Sequence, residues 1–126
     1  MKQVNDVLDM FFAKVSGKLS GVPVFRHSYP DGYTADDFVV INVLSVPADS
    51  IQVVDVNVNC YEKSYPGSIP NLLAMGSTAA DVIDELHGFH TFTTDRVHIG
   101  FQFMNIIREE GWHYANLRFQ LIFLNN

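Results

Sequence analysis

His113-Tyr114-Ala115-Asn116-Leu117-Arg118-Phe119-Gln120-Leu121-Ile122-Phe123-Leu124 alternates with a period of two. Ala115, Leu117, Phe119, Leu121 and Phe123 share one face, and Tyr114, Asn116, Arg118 and Gln120 share the other. The stretch reads as a β-strand with one side turned to a core. Just upstream, Glu109-Glu110-Gly111 forms a turn joining it to a second long strand over residues 92–108. The length of that strand, and Gly100 within it, predict a bulge or a bend.

Earlier in the chain, Val4, Val7, Leu8, Phe11, Phe12, Val15 and Leu19 fall at steps of three and four, the stripe of an amphipathic helix over residues 4–19. Pro23 stops it, and residues 22–27 read as a short edge strand. A polar loop carrying Tyr29-Pro30-Asp31-Gly32-Tyr33 follows. Residues 38–46 and 51–61 form two strands, joined as an antiparallel hairpin around Pro47-Ala48-Asp49-Ser50. In the second of these, Val54, Val56, Val58 and Cys60 face one way and Asp55, Asn57 and Asn59 the other. A loop over residues 62–70 leads to Asn71, which can cap a second helix striped by Leu72, Met75, Ala79, Val82, Ile83 and Leu86 and ended by Gly88. The expected fold is a single α+β domain over residues 1–126, with element order α-β-β-β-α-β-β. Its antiparallel sheet has four to five strands, and two helices pack on one face. Its core is expected to hold Leu8, Phe11, Phe12, Val56, Val58, Val82, Leu86, Leu117, Phe119 and Leu121.

Composition narrows the function classes. At 126 residues and 48% apolar content the chain buries a core without staples, and with 17% charged residues it is no disordered polymer. Net charge is −6, and the eight basic residues are scattered from Lys2 to Arg118, which argues against tight nucleic-acid binding. No apolar run is long enough to span a bilayer, and the first residues lack the pattern of a signal peptide. Cys60 is the lone cysteine, so no internal disulfide forms and a reducing cytoplasm is the expected compartment.

The strand over residues 38–46 is apolar on both faces: Phe38, Val40, Leu44 and Val46 against Val39, Ile41 and Val43. The second set is expected on the face away from the helices, beside Asp55, Asn57, Asn59, Gln102, Asn116 and Gln120. Aliphatics mixed with amides and poor in Lys and Glu suit a partner interface; the same pattern also suits a half-exposed sheet face. Tyr29, Tyr33, Tyr61 and Tyr65 cluster in and beside the two proline-containing loops, where they serve either partner contact or loop anchoring. The candidate interface residues are therefore Val39, Ile41, Val43, Asn57, Asn59, Tyr29, Tyr33 and Tyr65.

Catalytic and metal chemistry finds little footing. His87, His90 and His98 sit on three different elements at a spacing that matches no zinc pattern. Cys60 lies on a core face, and no Gly-x-Ser-x-Gly elbow or phosphate-cradling glycine loop occurs. The acidic pairs Asp36-Asp37, Asp81/Asp84/Glu85 and Glu109-Glu110 read as solvated surfaces. No catalytic residue, cofactor or metal is expected.

The order of elements resembles the tail-terminator and tail-completion proteins of long-tailed phages. The residues carrying the likeness are the Val7-Leu8 and Phe11-Phe12 helix stripe, Val22-Pro23-Val24-Phe25, the Tyr-Pro-Asp-Gly loop and Phe38-Val39-Val40-Ile41. Val54-Asp55-Val56-Asn57-Val58, the helix from Ala79 to Leu86, and Arg118-Phe119-Gln120-Leu121-Ile122-Phe123 complete it. The resemblance implies a non-enzymatic subunit of a phage or prophage tail at the head–tail junction. It would form a homo-oligomeric ring, often a hexamer in that family, in contact with tail-tube and head-connector proteins, made in the cytoplasm and carried in the virion tail. With the last strand running out at Asn126, subunit exchange would fall to the loops or the helix start. The competing expectation is a small non-enzymatic binding or regulatory module that dimerises through its sheet face.

Overall fold

The computed structural model describes residues 4–34, 36–45, 53–92 and 95–124. Helix α1 (Val4–Lys18) has Asp6 in its first turn and Lys18 in its last, each sign suiting the dipole end it occupies. Strands β1 (Val24–Arg26), β2 (Asp37–Ser45) and β3 (Val53–Lys63) follow, then helix α2 (Leu72–Leu86). The Asn71 side chain accepts the Ala74 N–H at 3.2 Å and caps α2. Strands β4 (Gly88–Phe92), β5 (Asp95–Glu109) and β6 (Trp112–Phe123) complete the chain. Gly88, at φ 127°, lets the backbone leave α2 and enter β4 without a loop.

All six strands form one sheet in the order β1-β2-β3-β6-β5-β4, curled into a half-barrel. This corrects the expected four-to-five-stranded antiparallel sheet in two respects. The sheet is mixed, because β1 runs parallel to β2, with Val24 beside Val39. The second is the sixth strand, β4, which pairs antiparallel with the first part of β5. The segment from Gly88 to Phe92 holds the strand formers Phe89, Thr91 and Phe92, but it is five residues long and follows directly on α2, so pairing to β5 is what separates it from the helix end. The bulge expected near Gly100 is present, as a register shift between Phe101 and Phe103.

Both helices lie on one face. Leu8, Phe11, Val56, Val58, Val82, Leu86, Leu117, Phe119 and Leu121 are all buried in one cluster between helices and sheet. The Phe11 and Phe119 rings meet edge to face, 6.2 Å apart. Phe12 lies at the rim, half-buried, with the Arg26 guanidinium 3.8 Å above its ring. Arg26 also pairs with Asp9 at 3.2 Å, and Lys18 reaches Asp84 at 3.4 Å to tie the two helices together.

The faces of β2 are the reverse of those expected. Val39 stands opposite Cys60, Ile41 opposite Val58 and Val43 opposite Val56. Directly paired residues share a face, so these three point to the helices, and Val39 and Ile41 are fully buried there. Phe38 and Val40 are buried on the other side of the sheet, in a separate cluster. With apolar residues at both parities of β2, only the pairing register distinguishes its sides. Val46 and the Pro47-Ala48-Asp49-Ser50 link lie outside the described residues.

Candidate functional site

The face away from the helices divides into two territories. At one end, Phe38, Val40 and Tyr61 form a second core, flanked by Phe25, Tyr29, Tyr33, Trp112 and Tyr114. Phe38 and Tyr61 stack at 4.5 Å, as do Tyr61 and Tyr114, while Trp112 meets Phe38 edge-on at 5.0 Å. Tyr29 and Tyr33 pack on Phe38 at 4.8 and 5.1 Å. The Tyr29 hydroxyl donates to Glu109 Oε2 at 2.6 Å, and that bond to a carboxylate holds its pKa up at about 12. Burial raises the Tyr61 hydroxyl as well. Tyr29 and Tyr33 thus pin their loop over the sheet.

Toward the centre of the same face lie the amides. Pairing registers line up Asn59, Asn116 and Asn105 across three strands, and Asn42, Asn57, Arg118 and Phe103 across four. Asn116 Nδ2 donates to Asn59 Oδ1 at 2.6 Å, and Arg118 Nε donates to Asn57 Oδ1 at 2.7 Å. Asn59 and Asn116 are buried, so their mutual bond satisfies groups that water no longer reaches.

The largest departure from sequence reasoning is at the sheet edge. β4 pairs with β5 only as far as Ile99. His87 Nδ1 then accepts the Phe101 N–H at 3.1 Å. Beyond that point no strand among the described residues pairs with the outer side of β5. Its inner side stays paired with β6 to the tip, Glu109 opposite Trp112. Phe103, Met104, Ile106 and Ile107 are 43%, 46%, 41% and 37% exposed along this free edge. Phe-Gln-Phe-Met-Asn-Ile-Ile over residues 101–107 was the available signal, an apolar run on both parities. A second apolar patch lies where α2 begins: Tyr65, bridged to Ile69, with Ile69, Leu72 and Leu73 all exposed, Leu73 to 88%.

Of the expected interface residues, then, Asn57 is half-buried on the open face and Tyr65 is exposed, while Asn59 is on the open face but buried in its amide pair. Tyr29 and Tyr33 are packed into the loop anchor, and Val39, Ile41 and Val43 belong to the helix-covered side.

Groups with chemical potential are dispersed. Cys60 is buried, which pushes its thiol up to about 12. Ser64 Oγ lies 2.7 Å from His113 Nδ1, the geometry of a hydroxyl satisfying a buried imidazole. A shallow cleft of about 210 Å³ is lined by Tyr33, Thr34, Lys63, Gly111 and Trp112, and neither Ser64 nor His113 contributes to it. His90 Nε2 bonds the Leu86 carbonyl at 2.7 Å, and the His87 and His98 rings are 5.8 Å apart. Among the described residues no three His, Cys, Asp or Glu side chains converge to hold a metal, and no helix is long and apolar enough to cross a membrane. Glu62, whose pairing partners are Asp37 and His113, is pushed up to about 7, first by burial and then by Asp37 and Asp36.

Comparison of the chain with protein-family models and with curated protein sequences returned no match.

Proposed function

We infer that the protein is a non-enzymatic structural subunit that acts by self-assembly. The specific assembly we assign is a ring in a phage or prophage tail at the head–tail junction, touching tail-tube and head-connector proteins. The observation carrying the self-assembly reading is the amount and placement of exposed apolar surface. The free half of β5 and the start of α2 each present four large apolar side chains. A ring subunit needs two contact surfaces, one toward each neighbour. Edge strands of monomeric proteins are instead blunted by Lys, Pro or inward charges, and along the unpaired residues 102–109 the only charges are Arg108 and Glu109 at its end. The net charge of −6 suits a lumen that lets DNA pass without adhering. The tail assignment itself draws on the resemblance in element order.

Light-scattering mass together with negative-stain images of the untagged protein tests this reading. Closed rings of uniform size are the expected result. A strict monomer at high micromolar concentration, unchanged by added tail tubes, refutes self-assembly; a dimer that never closes into a ring refutes the ring and favours the small binding module.

A further inference from the structure

We propose that the free edge of β5 is covered by the same edge of a second copy, antiparallel, about a two-fold axis through Asn105. The proposal rests on the self-assembly reading and supplies one of its contacts. The unpaired stretch is sharply bounded. β4 closes the edge up to Ile99, the His87 side chain closes the Phe101 N–H, and the hairpin turn follows Glu109. What remains is the bulge residue Gln102 and residues 103–109, which are paired with β6 on one side only, with backbone groups on the outer side available to a partner strand.

Symmetry selects the register. An antiparallel two-fold pairing keeps each sheet face continuous, so residues i and j facing each other across the axis must lie on the same face. The axis must therefore pass through a residue rather than between two. Through Asn105, Phe103 faces the partner's Ile107, Met104 faces the partner's Ile106, Asn105 faces itself, and Gln102 faces the partner's Arg108. Aromatic meets β-branched, aliphatic meets thioether, and amide meets amide or guanidinium. Moving the axis to Ile106 places Met104 against Arg108 and Phe103 against Glu109. Moving it to Met104 places Phe103 against Asn105 and Gln102 against Ile106, and pushes Arg108 toward Gly100 within the closed part of the edge. Only the axis at Asn105 matches like with like while using open backbone throughout. It also opposes no two like charges.

The self-complementarity identifies the occupant: residues 102–108 are their own best antiparallel partner. Such a contact joins subunits in pairs and continues the sheet from six strands to twelve.

Single-cysteine variants read the register directly. Cys60 is buried and does not compete for mild oxidant. Facing residues on an antiparallel pair have Cα atoms about 4.5–5.5 Å apart, within the reach of a disulfide. Asn105→Cys should oxidise to a covalent dimer in high yield. Gln102→Cys and Arg108→Cys should each stay monomeric when oxidised alone and cross-link when the two proteins are mixed. Ile106→Lys, at an exposed position that leaves the fold intact, should weaken association by about tenfold or more in sedimentation equilibrium, because it places a charge in a strand contact. Efficient self-linking of Met104→Cys or Ile106→Cys in place of Asn105→Cys overturns the register. A wild-type protein that sediments as a monomer overturns the proposal, as does one whose association is indifferent to Ile106→Lys. Rings seen without the Asn105→Cys cross-link refute the pairing and leave the ring reading standing; the cross-link without rings does the reverse.

Discussion

The two halves of β5 are made of similar residues and live in different surroundings. From Asp95 to Ile99 the strand pairs with β4, and from Val97 onward with β6 as well; here Val97 and Ile99 are fully enclosed under the helices. From Gln102 to Arg108 every residue is exposed, although Phe103, Met104, Ile106 and Ile107 are as apolar as anything in the first half. β6, the inner partner of both, stays largely enclosed along its length. Hydrophobic composition therefore makes the whole strand sheet-forming, while neighbours decide which part is core. An apolar segment left outside by its own fold is the kind of patch that contact surfaces are made of.

The sharpest way to break this comparison is at the point where the halves meet. Phe119 faces Phe101 just before the bulge, 5.6 Å between centroids, and also meets Phe11 of α1. Phe119→Ala should cost about 3–5 kcal/mol in denaturant unfolding, the usual toll for emptying a packed aromatic site. A loss below about 1 kcal/mol would mean that the helix-covered face is wrongly assigned.

Next in size is a matched pair within β5 itself. Ile99→Ala should destabilise by about 2–5 kcal/mol, because Ile99 is fully enclosed. Ile106→Ala, measured at a dilution where the protein is monomeric, should cost under about 1 kcal/mol, since the side chain is already partly in water. Equal losses at the two sites would show that the second half is packed within one chain, and the contrast would collapse. If the Ile106→Ala loss grows with protein concentration, the contrast is sharpened, because the missing methyls then belong to an intermolecular contact.

The amide row bordering the free half should give a smaller effect. Asn116→Ala leaves the buried Asn59 carbonyl without its donor, at a cost of about 1–3 kcal/mol. Replacing both by Leu should recover part of that loss, because no orphaned polar group remains; a double variant less stable than the single one would contradict this. The thermal midpoints of the three variants order the outcomes.

How much of this was legible in the sequence depends on how uneven the two sides of each element are. The β6 alternation, both helix stripes and most of the core list were readable because one side is apolar and the other is not. β2 was not, since Val39-Val40-Ile41 is apolar at both parities and only its register against Val58 and Cys60 tells the sides apart. β1 is three residues long, too short to announce a parallel partner, and β4, five residues long, is separated from the end of α2 by its pairing to β5. Tyr29 and Tyr33 were legible as contact residues but not as contacts within the chain, because aromatics serve loop anchors and interfaces alike. The free edge was present in the run from Phe101 to Ile107, yet its significance depends on where β4 stops, a fact of topology rather than of composition.

The smallest expected effect concerns the tip of the same hairpin, where Arg108 of the free half faces His113 and His113 faces Glu62. In the folded protein Glu62 keeps its proton up to about pH 7, against an ordinary value of 4.5, because burial and the neighbouring Asp37 and Asp36 disfavour its charge. Between those two values the folded state holds more protons than the unfolded state. Stability from this group is thus fully present below about pH 4.5 and is lost as pH rises through about 7. Glu62→Gln, which keeps the shape and removes the titration, should therefore gain stability relative to the wild type as pH is raised from 4.5 to 8. Urea midpoints of both proteins across that range measure the difference. A difference that is flat with pH would mean that Glu62 is solvated in the folded state. A difference of the opposite slope would mean that a cation, with Arg108 the nearest candidate along the row, outweighs the two aspartates there. Either result would place the end of the free strand in a different electrostatic setting from the one its neighbours describe.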